Sequence, residues 1–386
     1  MEPDSLLFSF FLIFSGAALL STLALFFRQP LLVAYILIGV ILGPFGLQFI
    51  SDPALLTDIA EFGIIFLLFL LGLDMQPSKL FTTLKKTFLV TLASSVVFIA
   101  LGYGTGMLFA YSQTESLVIG FSMIFSSTII GIKLLPTTVL HQKHMGELMV
   151  GILLLQDFIA IFILVFLDSG NIEQASALRV LLAFPALLIL AFLCTRYVLV
   201  KLIAHFEHFK EYIFLLAIGW CLGLSALASI MGLSAEIGAF VAGVSLATSP
   251  IALFIAYSLK PLRDFFLILF FFSLGAQFNI GLLSQILAPA LLLAGLALTV
   301  KPVIFHYLLR RFSEQNRLAW DAGLRLGQIS EFSLLIAFVA TQSGMIGESA
   351  SLVIQGAAIV TFLISSYVVV LFCPTPIAIS ARLRRD

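Results

Sequence analysis

The sequence predicts an all-α membrane protein with 13 transmembrane helices. Three observations predict it: a composition too apolar for a soluble globule, a succession of apolar runs of spanning length, and basic residues that fall in alternate loops. Of 386 residues, 61% are hydrophobic and 10% charged, against about 25% charged in an ordinary soluble domain. A chain of this length cannot build an interior large enough to hide so many apolar side chains, so lipid must cover them.

Apolar runs of about 17 to 25 residues, broken by charge or by Pro and Gly, fall at roughly 5–27, 29–49, 57–74, 87–112, 115–136, 147–168, 176–204, 210–231, 233–249, 262–279, 283–310, 318–343 and 349–373. The first has full spanning length and carries Glu2 and Asp4 where a leader would be basic, so it reads as a retained helix. The tightest junction is Met231-Gly232, between spans 8 and 9.

Lys and Arg test this count, because they collect in loops on the cytoplasmic side. One side receives Arg28, then Lys79, Lys85 and Lys86, then Lys133 and Lys143, and so on to the Arg382, Arg384, Arg385 tail, in total 17 of the 20 basic residues. The other side receives Arg179 alone, among acids such as Asp52, Glu115 and Glu348. An error of one helix would scramble the alternation, so the N-terminus is placed outside and the C-terminus in the cytoplasm. The zero net charge and lack of any longer basic tract give no reason to expect nucleic-acid binding. Cys194, Cys221 and Cys373 sit in apolar runs without ligand spacing, which argues against a disulfide framework or structural zinc.

Two pieces recur about 203 residues apart. IIFLLFLLGLDMQPSKL in span 3 aligns with FLILFFFSLGAQFNIGLL in span 10, setting Gly72 against Gly275 and Asp74 against Gln277, while Gly39-Val40-Ile41-Leu42 matches Gly243-Val244-Ser245-Leu246. Spans 2 to 6 (about 29–168) then correspond to spans 9 to 13 (about 233–373). The offset of seven helices is odd, so the copies are inverted across the membrane. Such inverted repeats place substrate near the midplane, between helices interrupted in corresponding positions. Those are spans 5 and 12, carrying Phe125-Ser126-Ser127-Thr128 and Gly327-Gln328-Ile329-Ser330-Glu331. Hydroxyls there can satisfy an unwound backbone and offer oxygen to a hard cation, although Ser and Thr are also ordinary packing residues in membranes.

Ionisable groups inside apolar spans cost on the order of 3 kcal/mol each and need a partner or a role. Asp157, in GILLLQDFIAIFIL, has no local charge to neutralise it. A carboxylate there can trade a proton for a metal cation, since desolvation favours the neutral acid and a bound cation favours the anion. Gln156 offers a neutral oxygen but points about 100° away, toward a neighbouring helix. Lys301, followed by Pro302, pairs with a core acid, competes with a cation, or forms a structural bridge. Arg325 and Glu331 lie on different faces of span 12 and are expected to bond across helices, Arg325 structurally. Glu236 and Glu61 stand near the outer ends of their spans. The five histidines cluster toward cytoplasmic ends, and no Walker, nucleotide-binding or HExxH motif occurs, so no cofactor is expected.

Around Leu155-Gln156-Asp157 the chain resembles the membrane domain of bacterial Kef-type potassium/proton antiporters, within the cation/proton antiporter superfamily that also holds sodium/proton exchangers. The resemblance rests on YILIGVILGPFGL (35–47), EFGIIFLLFLLGLDM (61–75), FSSTIIG (125–131), LLLQDFIAI (153–161), GAFVAGVSLATS (238–249) and GQISEFSLLIA (327–337). It implies a sodium/proton antiporter-like fold in which two discontinuous helices cross, a scaffold that forms a homodimer, a six-helix core that moves as an elevator, and residence in the bacterial inner membrane. It implies that Asp157 binds the alkali cation and the proton in turn, with Gln156 where sodium exchangers often have Asp or Asn. One charge from the Gln-Asp pair fits electroneutral potassium exchange. Lys301 looks like the lysine that pairs with the binding Asp in some exchangers. Kef-type proteins usually carry a cytoplasmic nucleotide-binding regulatory domain after the last helix, and this sequence stops at Asp386, so a cytoplasmic regulatory domain or subunit would be a separate piece. Potassium/proton exchange is the first expectation. Sodium/proton exchange is the alternative, and a gated cation conductance or a sensor without transport are the readings from other classes.

Overall fold

The computed structural model describes residues 6–27, 29–50, 53–74, 77–127, 144–169, 174–206, 208–247, 249, 252–312 and 314–373. Among these, the regular structure is helical throughout. In chain order the helices are α1 (Leu6–Phe26), α2 (Leu31–Leu42), α3 (Pro53–Asp74), α4 (Pro77–Leu108), α5 (Gln113–Ser122) and α6 (His144–Ser169). Then follow α7 (Gln174–Cys194), which runs through a π turn over Thr195–Leu199 into α8 (Val200–His205), α9 (Lys210–Ile230), α10 (Ala235–Ala247) and α11 (Ala252–Ala276). A 3-10 turn at Ile280–Leu282 leads into α12 (Leu283–Arg311), and α13 (Asn316–Leu326), α14 (Glu331–Gln342) and α15 (Glu348–Phe372) complete the fold.

Seven helical stretches among the described residues are long and apolar enough to cross a bilayer, and five further apolar helices are shorter, at 10–17 residues. The shorter ones coincide with expected spans 2, 3, 6, 9 and 10. Span 4 begins earlier than hydropathy suggests, at Pro77, a residue suited to a first helical position because it has no N–H to leave unpaired. The tight junction between spans 8 and 9 is resolved by a Schellman ending on α9. Gly232, at φ +84°, lets its N–H reach Ser229 O (3.1 Å) and the Leu233 N–H reach Ala228 O (2.9 Å). Gly344, at φ +71°, ends α14 in the same way.

The helices sort into two groups. In one, α3 packs on α10 and α11, α2 on α11, α9 on α10 and α1 on α2. In the other, α4 packs on α5, α6 and α12, α12 on α13 and α15, and α14 on α5, α6 and α15. The two groups meet chiefly where α6 touches α10 and α2 touches α15.

Four glycines bring the first group together. A Cβ on Gly39 would strike Phe272 O and Ala276 N of α11, and one on Gly243 would strike Phe69 O and Leu73 N of α3. Gly72 likewise faces Phe240 O and Val244 N, and Gly275 faces Ile36 O. Each contact has its counterpart about 203 residues away, so the pairs matched in the sequence are the pairs that cross. Small residues suit this duty because, without a hydrophobic drive between helices in lipid, close backbone approach supplies the van der Waals attraction.

Candidate functional site where two broken helices cross

α5 ends at Ser122 and the chain runs without helix from Met123 to Ser127, the last described residue of that segment. Thr128 lies outside the described residues. On the other strand of the crossing, α13 ends at Leu326, residues 327–330 are non-helical, and α14 resumes at Glu331. Breaking a helix strands carbonyls on one side and N–H groups on the other, and in the membrane interior these must find protein partners.

The two breaks satisfy each other. Ser126 Oγ donates to Leu326 O (2.8 Å), Ser333 Oγ donates to Ser122 O (2.7 Å), and Gln328 Nε2 donates to Ser127 O (3.3 Å) and Arg325 O (2.8 Å). Ser330 caps α14 in a box with Ser333. α15 contributes Thr361, whose Oγ1 accepts the Ile329 N–H (3.2 Å), and Ser365, which donates to Gln328 Oε1 (3.2 Å).

Lys301 closes the crossing. Fully buried on α12, its ammonium donates to Phe125 O and to Gln328 O, both at 2.9 Å, and lies 5.1 Å from the centre of the Phe98 ring. It therefore sits at the carbonyl ends of two half-helices, α5 and α13, where helix dipoles favour positive charge. Pro302 reaches this position because Gly323 and Gly327 leave no side chain in its way: a Cβ on either would lie 2.6 Å from Pro302 atoms. The expectation that Lys301 pairs with a core acid is thereby corrected, since its ammonium makes no ion pair with a described residue. The reason is that two backbone carbonyls lie within its reach and no described carboxylate does.

Asp157 lies on α6, in the same helix group. It is 3% exposed and makes no hydrogen bond or ion pair with a described residue, while the Glu331 carboxylate at the start of α14 acts on it through space. Gln156 turns away from it, as the helical angle requires. Its Oε1 accepts the Ser126 N–H (3.0 Å), and its Nε2 is buried without a partner among the described residues. Ser127 is fully buried at the end of the described segment.

The other candidate charges behave differently. Arg325, expected to bond across helices, pairs within its own helix, donating from Nε to Asp321 Oδ1 at 2.9 Å one turn earlier. Glu236 stands half-buried in the first turn of α10, in the other helix group, where it interacts electrostatically with Glu61. The structure thus assembles Ser126, Ser127, Gln156, Asp157, Lys301, Arg325 and Glu331 in one helix group and leaves Glu236 apart. Sequence reasoning missed Phe98, Thr361 and Ser365. Thr361 and Ser365 stand four apart, hence on one face of an apolar helix, and that spacing was the available signal.

Broken helices that are joined across each other, with a buried unpaired carboxylate beside them, define the discontinuous-helix class of membrane transporter folds. The chain belongs to the sodium/hydrogen exchanger family, whose transmembrane region it matches over residues 11–373. It is 29% identical to K(+) efflux antiporter 4 of Arabidopsis thaliana over 338 residues, which are 85% of this chain and 57% of the plant protein. It is 28% identical to the iron transporter MagA of Paramagnetospirillum magneticum, over 88% of this chain and 79% of that protein. The chain thus spans little more than half the length of its plant relative. In fold it is similar to the sodium proton antiporter MjNhaP1 of Methanocaldococcus jannaschii, with a TM-score of 0.69 at 19% identity, covering 93% of this chain and 94% of that one.

Proposed function

We propose that the chain is a monovalent cation/proton antiporter that exchanges potassium for protons by alternating access, with Asp157 carrying either ion in turn. The observation that carries this reading is the buried Asp157 carboxylate, which has no partner among the described residues and sits in the same helix group as the crossing. A carboxylate buried in that state must be protonated or hold a cation, because an isolated buried charge is too costly. Lys301 is satisfied by carbonyl oxygens rather than by Asp157, so Asp157 can load and unload without first breaking a salt bridge.

In the proposed cycle Asp157 releases its proton on one side of the membrane. The cation then binds the carboxylate with oxygen from Gln156, Ser126, Ser127 and Thr128, and is carried across. Gln156 Oε1 keeps one lone pair beyond its bond from Ser126. Lys301, Glu331 and Arg325 hold the crossing and tune its charge. Both loaded states of Asp157 are neutral, which favours one-for-one electroneutral exchange.

Several wider features belong to the same proposal. The mirrored glycine contacts support an inverted repeat of about 29–168 and 233–373. The helix group of α1 to α3 and α9 to α11 would serve as scaffold and homodimer surface, and the other group as the mobile core in a single transporter domain. The placement is in a bacterial inner membrane with the N-terminus outside, and the greater length of the plant relative leaves room for a cytoplasmic regulatory domain or subunit.

Potassium is favoured by the name of the plant relative and by the Gln-Asp pair. The likeness of fold to MjNhaP1 keeps sodium as the second reading. The name of the MagA relative points to iron, but the described residues bring together no group of three or more His, Cys, Asp and Glu side chains, the donors a transition metal favours. The test is proton flux in proteoliposomes under potassium, sodium, rubidium or ferrous gradients, with Asp157→Asn as control. Potassium-driven proton movement that is lost in Asp157→Asn is expected. Ion flux without proton movement would replace antiport by conductance.

A further inference from the structure

A cavity of about 130 Å³ lies between the two helix groups, where the ends of α11 and α14 meet the start of α15. Its polar lining is Gln277, Thr341, Gln342, Glu348, Ser351 and Gln355. That volume holds several waters, since one needs about 10–15 Å³ on this measure. The lining is rich in oxygen. Gln277 Nε2 donates to Ser273 Oγ (3.3 Å) and Gln355 Nε2 to Ser351 Oγ (3.2 Å). Each glutamine thus commits its donor end to a serine one turn earlier, and the side-chain oxygen of each accepts no bond from a described residue. Gln355 is 7% exposed and Ser351 4%, so this is a built site and not a surface scatter of polar groups. Glu348 adds the one carboxylate, and no Lys, Arg or His lines the cavity.

The floor is apolar. Phe338 lines the cavity from α14 and meets Phe270 of α11 edge to face, ring centres 6.2 Å apart. Both rings are buried, at 4% and 2% exposure. Phe338 lies two turns along α14 from Glu331, the group that acts on Asp157, so the aromatic pair stands between the cavity and the crossing.

We infer that this cavity is a waiting site for a partly hydrated alkali cation on the membrane face that carries the α14–α15 connection, and that Phe270 and Phe338 are the gate between it and Asp157. The inference rests on the antiport reading and adds to it a second site and a named barrier. Neutral oxygens with one carboxylate are the donors a hard monovalent cation takes while it keeps part of its water. A pair of rings from opposite helix groups separates when the groups move apart.

The test is sided. In proteoliposomes sorted by orientation, Gln355→Leu is expected to raise the half-saturating potassium concentration about three- to tenfold when potassium is presented on this face, an effect of the size expected for one lost charge-assisted contact. Potassium presented on the opposite face should show no change, and Gln355→Glu should restore the native value. For the gate, Leu334→Cys is made in a background with Cys194, Cys221 and Cys373 replaced by Ser. A membrane-impermeant cationic thiol reagent applied from this face should modify it many times faster when Phe338→Ala is added. Equal shifts on both faces, no shift on either, or labelling indifferent to Phe338→Ala would overturn the inference. A native protein that moves no protons against potassium would instead sink the antiport reading and leave the site to be probed by binding.

Discussion

Replacing Lys301 by Met separates two roles that the sequence allows for this lysine. As a staple, its ammonium satisfies Phe125 O and Gln328 O at 2.9 Å each. Met would leave both buried carbonyls without that donor, at about 1–3 kcal/mol apiece, while relieving an ammonium burial of about 3 kcal/mol. The net expectation is a loss of up to about 3 kcal/mol, read as a lower thermal midpoint in detergent. As a counter-ion of Asp157 it would act differently. A contact pair at about 4 Å is worth roughly 4 kcal/mol at an effective dielectric of 20, equal to about three pH units. Its removal would then move the pH midpoint of exchange upward by that much. The geometry predicts the first outcome: a less stable protein whose pH midpoint moves by less than about one unit, where a 1.36 kcal/mol change corresponds to one unit. The assay is dye-monitored proton exchange against pH in native and Lys301→Met vesicles, beside thermal unfolding of both. A midpoint displaced by two or more units with unchanged thermal stability would refute the staple and restore the counter-ion.

Gln328→Leu removes three side-chain hydrogen bonds, two given to Ser127 O and Arg325 O and one accepted from Ser365. At about 0.6 kcal/mol for an average side-chain bond in a membrane protein, the loss should be about 2 kcal/mol, measured as a lowered unfolding midpoint. Gly243→Ala drives a methyl into Phe69 O, and Gly39→Ala drives one into Phe272 O; each should cost about 1–3 kcal/mol by overpacking. The two should cost similar amounts, because they occupy equivalent places in the repeat, and a large effect at one with none at the other would speak against the duplication. Ser112→Ala deletes the cap of α5, where Ser112 Oγ accepts the Glu115 N–H at 3.2 Å. It should cost about 1 kcal/mol and leave the pH profile of exchange unmoved.

The helices were legible because hydropathy and basic residues carry redundant information. Breaks were legible for a different reason. Gly327 and the hydroxyls of Ser126 and Ser330 are residues a sequence uses where the backbone stops serving itself. Asp157 stood out because no neighbour on α6 could neutralise it. The partner of Lys301 was not legible, since backbone carbonyls are present at every position and only the crossing decides which two lose their own donors. Arg325 failed for a related reason. Asp321 lies one turn before it, an i,i+4 partner visible in the sequence, yet its interior position drew attention to longer-range contacts. Glu331 remains the group whose role the letters describe least, because its influence on Asp157 depends on how α14 leans on α6.

The placement of Lys301 bears on how a carrier can stay rigid around a charge that changes. If the lysine were held by Asp157, each loading event would release an ammonium into a dry interior, and the crossing would have to reorganise with every cycle. Held instead by the carbonyl ends of α5 and α13, it stays compensated whichever ion the carboxylate carries. The hydrogen bonds of Ser126, Gln328 and Ser333 also join the two breaks to one another and not to the scaffold group. Loading can therefore alter the charge of one residue while the geometry of the crossing persists. What remains free to move is the apolar seam between the two helix groups, where no printed hydrogen bond of the crossing has to break.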